Sequence, residues 1–300
     1  MASWQSFVLS YYLKKYVKGR GKDNEALMVR ATRFKLERTL GKPTIPQKAR
    51  ITPFSTENLR GEWVEWNNQR ATKTLLYLHG GGYVACSPKT HRNLTVALAK
   101  TLNVRVLALD YRLAPENRFP AALEDAEAAY NWLLRNGVSP QNLFLAGDSA
   151  GGGLALSLLL KLRDQNQPLP AAAMVFSPWT DLAATGQSLE TNDASDVMFH
   201  GSGIRFGAKI YPGPNNDPKN PYISALYGDF RGLPPLLIFA SQQEVLRDDA
   251  LRVAEKAQQQ GVAVDSQLWP KMPHAWPVFI KILPEARKAV EYVAAFIANL

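Results

Sequence analysis

The 300-residue chain holds one cysteine, Cys86, and four histidines. A single cysteine excludes an intramolecular disulfide and any four-cysteine zinc site. No stretch approaches 18 uninterrupted apolar residues, so no membrane-spanning helix is expected. The N-terminus runs from aromatic and apolar residues into basic ones, the reverse of a secretory leader. With the lone cysteine, this makes a cytoplasmic location the expectation. No G-x-x-x-x-G-K-[ST] and no strand-following G-x-G-x-x-G occurs, which disfavours nucleotide binding. Lys and Arg number 35 against 26 Asp and Glu, a net charge of +9. These cations are dispersed; the densest group is Lys14, Lys15, Lys18, Arg20 and Lys22. A diffuse positive surface is the simpler reading, and no nucleic-acid partner is expected. The remaining composition, 46% hydrophobic with 20 Gly and 20 Pro, is that of a globular enzyme-sized protein rather than a disordered or fibrous one.

Periodicity organises what is present. Trp4, Phe7, Val8, Tyr11 and Tyr12 share one face of a first helix. That stripe is expected to dock on the body of the protein and close a pocket; contact with a lipid–water interface, helped by Lys14, Lys15 and Lys18, is the alternative use. A second helix runs from about Asn24 to Leu40 and stops at Gly41 and Pro43. From about Glu62, short apolar runs alternate with helical patterns. Strands are expected at 74–79, 104–109, 142–146, 171–176, 235–240 and 262–269. Helices are expected at about 90–102, 120–134, 154–163, 247–260 and 285–299. This alternation implies an α/β fold with a mainly parallel sheet covered by helices on both faces. The stretch from about Thr185 to Gly213 lacks a clear period and is a candidate lid.

The chemistry concentrates at Gly147-Asp-Ser149-Ala-Gly151, between a strand and a helix. A chance G-x-S-x-G occurs about once in ten chains of this size, so the flanking elements decide its weight. Small neighbours allow a sharp strand-to-helix turn that lifts the Ser149 hydroxyl out of the sheet edge. A second motif, His79-Gly80-Gly81-Gly82-Tyr83, ends the strand at 74–79. Its glycines can present backbone N–H groups to an oxyanion. His79 is read as fixing this loop. Of the other histidines, His91 begins a helix and His200 lies in the irregular stretch. His274 follows the last strand, where the base of this arrangement belongs. The acid that orients it should follow the strand at 235–240. Three carboxylates stand there: Glu244, Asp248 and Asp249. Glu244 is nearest the strand end, whereas the other two sit in a helix's first turn, where the dipole already explains them. Glu244 is therefore the expected orienting acid.

These stretches, together with Tyr111-Arg-Leu-Ala-Pro-Glu116, Phe119-Pro-Ala-Ala-Leu-Glu-Asp125 and Leu246-Arg-Asp-Asp249, resemble the hormone-sensitive-lipase-like family of α/β-hydrolases, its bacterial esterases in particular. The resemblance implies an α/β-hydrolase fold with a helical cap. It implies Ser149 as nucleophile, His274 as base, and backbone N–H groups of Gly81, Gly82 and Ala150 in the oxyanion hole, with Gly80 a further contributor. The family usually has Asp where this chain has Glu244, which keeps Asp248 in view. Asp148 and Glu116 match family positions and are read as structural. Cys86 is read as a small buried hydrophobe.

The expected division is a cap segment at 1–45, a catalytic core at 46–184 and 216–300, and a cap insertion at 185–215. The expected activity is hydrolysis of small to medium acyl esters, lactones included, through an acyl-enzyme. Neither a metal nor an organic cofactor is required. Because the mechanism needs neutral His274, activity should rise as pH passes a pKa near 7. Binding of a small hydrophobic ligand without turnover is the competing function on this fold. The expected partner is a small ester; stable membrane insertion is not expected, and the resemblance suggests an edge-strand homodimer. Phe199, Phe206 and Tyr211 are expected to bear on the pocket.

Overall fold

The computed structural model describes residues 2–18, 24–67 and 71–300. Arg20 and Lys22 of the basic group lie outside the described residues. The chain begins with helices α1 (Trp4–Tyr16) and α2 (Glu25–Leu40). Asn24 caps α2 by accepting from the Leu27 amide, and Gly41 ends it. The alternating region runs β1 (Ala49–Ser55), β2 (Arg60–Trp66), β3 (Lys73–Leu78), α3 (Pro88–Leu102), β4 (Val104–Leu109), α4 (Ala121–Arg135), β5 (Leu143–Asp148), α5 (Ala150–Asp164) and β6 (Ala172–Phe176). Short helices α6 (Ser188–Thr191) and α7 (Gly201–Gly207) follow, then β7 (Leu236–Ser241), α8 (Arg247–Gln259), β8 (Val264–Trp269) and α9 (Pro284–Ala298).

The strands form one eight-stranded sheet ordered β1-β2-β4-β3-β5-β6-β7-β8. All pairings from β4 to β8 are parallel, and β1 and β2 add an antiparallel edge. Alternate side chains of the central strands enter two separate cores. Leu76, Leu78, Leu107 and Leu145 pack with α2, α4, α5 and α8. Leu75, Tyr77, Val106 and Phe144 pack with α1, α3 and α9. Burial on both sides explains why these strands read as continuous apolar runs.

The hairpin β1–β2 is not anticipated by the sequence. Its residues alternate between buried, half-buried and exposed and mix Arg50, Thr52, Glu62 and Glu65 with apolar ones, so no apolar run marks it. Helix α5 starts at Ala150, four residues before its apolar period begins, because Gly151 to Gly153 pack their bare backbones against neighbouring chain. The irregular stretch at 185–215 contains α6 and α7, both too short to show a period.

The first helix forms as its spacing predicts, but it faces the opposite way. Leu9 and Leu13 are buried, while Trp4, Phe7, Val8, Tyr11 and Tyr12 lie exposed. The expected docking of the aromatic stripe is therefore incorrect. The helix carries a second apolar stripe, and that one faces the core.

Candidate active site

Five loops leave the C-terminal ends of parallel strands and converge on one cavity, as crevices in such sheets do. Following β5, Ser149 adopts φ 54° and ψ −124°, a conformation a non-glycine residue rarely holds. The surroundings over-determine it. The Ser149 amide donates to the Phe176 carbonyl at 2.9 Å, and the Ser149 carbonyl accepts from the Trp179 amide at 2.9 Å. A Cβ on Gly151 would lie 2.0 Å from the Leu78 carbonyl oxygen, and one on Gly147 would lie 2.4 Å from that of Gly151. Only glycine permits the helix to approach the sheet so closely.

Following β3, Gly81 and Gly82 take φ values of 121° and 65°; the first requires glycine and the second favours it. Among the described residues, their amides donate no hydrogen bond. Ala150 opens α5, where an N–H has no intrahelical acceptor. The Gly80 amide, by contrast, is committed: it donates to Asp148 Oδ1 at 3.0 Å. The expected contribution of Gly80 to an oxyanion hole therefore does not fit, since its donor is already used.

Asp148 is the hub beneath this loop. It also accepts from the Tyr77 hydroxyl at 2.6 Å and lies 3.3 Å from His91 Nε2. Burial alone would raise the Asp148 pKa. The His91 charge and the bonds from His91, Tyr77 and Gly80 outweigh it and hold the carboxyl below its ordinary value. His91 is thus more than the start of a helix, a role with no sequence signal because the contact joins positions 57 apart. His79 stacks on Tyr111 at 4.3 Å and lies 2.7 Å from the Gly80 carbonyl through Nδ1. Its burial pushes the imidazole down to about 3, so it stays neutral and fixes the loop.

Following β7 and β8, Glu244 and His274 meet. Glu244 Oε2 lies 2.5 Å from His274 Nδ1. The other oxygen, Oε1, accepts from the Ser177 hydroxyl at 2.9 Å and the Ser241 amide at 2.6 Å. Ser177 accepts in turn from the Ala275 amide at 3.0 Å. It therefore ties Glu244 to the loop carrying His274, a positioning role that its place after β6 could have suggested. Burial would lower the His274 pKa, but the bond and charge of Glu244, helped by Asp196 and Asp148, raise it above its ordinary value. His274 Nε2 is buried and bonds no group among the described residues.

The two competing acids are engaged elsewhere. Asp248 accepts from the Ser188 amide and pairs with Arg247. Asp249 accepts from the amides of Thr180 and Asp181, both at 2.8 Å. Glu116 pairs with Arg33 of α2. Asp196 accepts from the amides of Met198, Phe199 and Val245, pinning the segment at 185–215 to the Glu244 loop.

Ser149, Gly81, Gly82 and His274 line one cavity of about 180 Å³. Its walls are mostly apolar: Met28 and Leu36 from α2, Trp179, Ile204 from α7, and Val278 and Phe279. Phe199 lines it and packs edge-on against His274 at 5.1 Å. Phe206 and Tyr211 do not appear in its wall; Tyr211 stacks instead on Tyr83 at 3.8 Å. Among the described residues, no cluster of His, Cys, Asp and Glu could hold a metal ion, and no helix is long and apolar enough to cross a membrane.

A family model described as the alpha/beta hydrolase fold matches residues 75–278. An acetyl-hydrolase of Streptomyces hygroscopicus is 47% identical over 236 residues, covering 79% of this chain and 78% of that protein. An esterase of Acinetobacter venetianus is 34% identical over 250 residues, covering 83% and 82%. Among solved structures, an esterase from the bacterial hormone-sensitive lipase family superposes with a TM-score of 0.92 at 37% identity, covering 100% of this chain and 99% of that one.

Proposed function

Because the chain belongs to the hormone-sensitive-lipase-like family of α/β-hydrolases, we propose that it hydrolyses carboxylic esters of small to medium acyl groups with Ser149 as nucleophile. The protein is a serine ester hydrolase of the carboxylesterase and lipase type; the residue roles and the substrate size are the proposal. The observation carrying it is the buried Glu244–His274 contact at 2.5 Å, whose free Nε2 belongs to a residue lining the same cavity as Ser149.

In the proposed cycle, Ser149 Oγ attacks the ester carbonyl carbon while His274 Nε2 takes the hydroxyl proton. Glu244 keeps the imidazole proton on Nδ1 and stabilises the imidazolium as it forms. The tetrahedral oxyanion is held by the amides of Gly81, Gly82 and Ala150. Each well-placed donor is worth roughly 3 kcal/mol of barrier. The alcohol departs with the proton from His274. Water then attacks the acyl-enzyme with His274 again as base, releasing the acid and restoring Ser149. The apolar walls favour an acyl chain over a charged substrate. Residues 1–45 and 185–215 serve as the cap, a division supported by the cavity contacts of α2 and α7.

The test is turnover of p-nitrophenyl esters of increasing acyl length by the purified protein. Short and medium chains should be hydrolysed, and Ser149→Ala should remove the activity. A rate that survives Ser149→Ala overturns the assignment.

A further inference from the structure

Helix α1 carries apolar side chains on two opposite faces. Ser6, Leu9 and Leu13 are buried on the inner one. On the outer one, Trp4 is 71% exposed, Phe7 57%, Val8 59% and Tyr11 69%, with Tyr12 and Tyr16 exposed beside them. Single exposed apolar residues are ordinary, but a contiguous stripe of this size marks an interaction surface. The helix is firmly held. The Ser3 amide and hydroxyl donate to Glu285 at 2.6 and 2.9 Å, and the Ser6 hydroxyl donates to the Lys271 carbonyl at 2.9 Å. Beyond its end, Lys18 Nζ donates to the carbonyls of Asp193 and Asp196. The outer stripe is therefore presented in one fixed orientation.

The chemistry of the stripe selects its occupant. Tryptophan and tyrosine combine an apolar ring with a polar edge, which suits the headgroup level of a bilayer. The helix WQSFVLSYYLKKY has no acidic residue and ends in Lys14 and Lys15. Lys15 Nζ lies 5.9 Å from the Tyr11 ring and 5.3 Å from the Tyr16 ring, and Lys271 Nζ lies 5.8 Å from that of Phe7. Cations thus stand among the aromatic rings themselves. A second copy of the chain docking face to face would bring like charges together, whereas an anionic surface would neutralise them.

We propose that the outer face of α1 docks the protein on anionic lipid bilayers, with the helix lying in the headgroup plane. Val17, the residue after α1, lines the catalytic cavity together with Met28 and Ala31 of α2. The docked helix therefore adjoins the cavity. This inference is independent of the catalytic assignments.

The test is flotation with vesicles of phosphatidylcholine containing about one-third phosphatidylglycerol, compared with phosphatidylcholine alone. The wild type and Ser149→Ala should both float with the anionic vesicles, less at high salt. The double variant Phe7→Ser/Tyr11→Ser should partition at least tenfold more weakly. Its melting temperature and its rate on a water-soluble ester should match the wild type, since both side chains are exposed. The variant Lys14→Gln/Lys15→Gln should lose about tenfold or more on anionic vesicles only. Three results would overturn the proposal: a wild type that stays unbound, a double variant that floats as well as the wild type, or a solution dimer that the double variant dissociates.

Discussion

Shortening the acid at position 244 isolates the contact on which the proposed relay depends. Glu244→Asp removes one methylene and withdraws the carboxylate by roughly 1.5 Å, one carbon–carbon bond. The present separation from His274 Nδ1 is 2.5 Å. The shortened side chain therefore leaves the imidazole beyond hydrogen-bond reach unless a loop moves. The loop is poorly placed to follow, because Oε1 is held by Ser177 and the Ser241 amide while Ser177 is held by Ala275. Losing a hydrogen bond to a charged group costs about 1.5–3 kcal/mol. If the cost falls on the transition state, where the imidazolium exists, kcat falls roughly 10- to 150-fold. Glu244→Gln keeps the shape but loses the charge and should cost more, on the order of 10³-fold or above. Both variants should shift the pH profile downward, since Glu244 is what raises the His274 pKa against burial. The assay is kcat and KM on p-nitrophenyl butyrate across pH, with Asp248→Asn as control. Full activity in Glu244→Gln together with collapse in Asp248→Asn would refute the relay and transfer the role to Asp248.

Three other outcomes follow from the same geometry. The wild-type rate should climb with pH through a value above 6.5, because the base must be neutral and its folded pKa is raised; a flat profile from about pH 5 to 9 would contradict His274 as base. Asp148→Ala strands the Gly80 amide, the Tyr77 hydroxyl and His91 in a buried place. It should lower stability by about 2–4 kcal/mol, read by denaturant titration. It should also reduce kcat at least tenfold with little change in KM, as expected if the loop acts on the oxyanion. Asp249 is buried, and that burial, opposed by the Thr180 and Asp181 amides and aided by the Asp181 charge, pushes its carboxyl up to about 8. A raised folded pKa gives stability that is complete below the unfolded value near 4 and lost as pH rises through 8. The wild-type melting temperature should therefore fall between pH 6 and 9, whereas Asp249→Asn, which keeps an acceptor for both amides, should fall less.

What the sequence made legible depended on whether the deciding interaction was local. The strands from β3 to β8 and their helices could be located because burial on both sheet faces demands apolar runs, and turns between them demand Gly, Pro and Asn. The turn at Gly147–Gly151 was legible from its small residues between a strand and a helix, although the contact that demands glycine at 151 is a distant one, with the Leu78 and His79 carbonyls at the end of β3. The hairpin β1–β2 escaped because an edge exposed on one side needs no apolar run, and its mixed residues satisfy the pairing as well as any. The Asp148, Tyr77 and His91 cluster escaped because it joins residues from three elements, each ordinary in its own context. The proposed orienting acid was limited to three neighbours by local placement, and their distinct hydrogen-bond partners appear only when β7, β8 and the 185–215 segment are assembled. Helix α1 carries the sharpest version of the lesson. Its period reveals an apolar stripe, but a 3.6-residue repeat applies equally to Leu9, Leu13 and Val17 on the opposite side. The smaller aliphatic set faces the core, where Ser3 and Ser6 can reach Glu285 and Lys271. Packing against a shaped surface chose between two stripes that hydrophobicity alone ranked the other way, and that choice is what leaves the aromatic residues available for another partner.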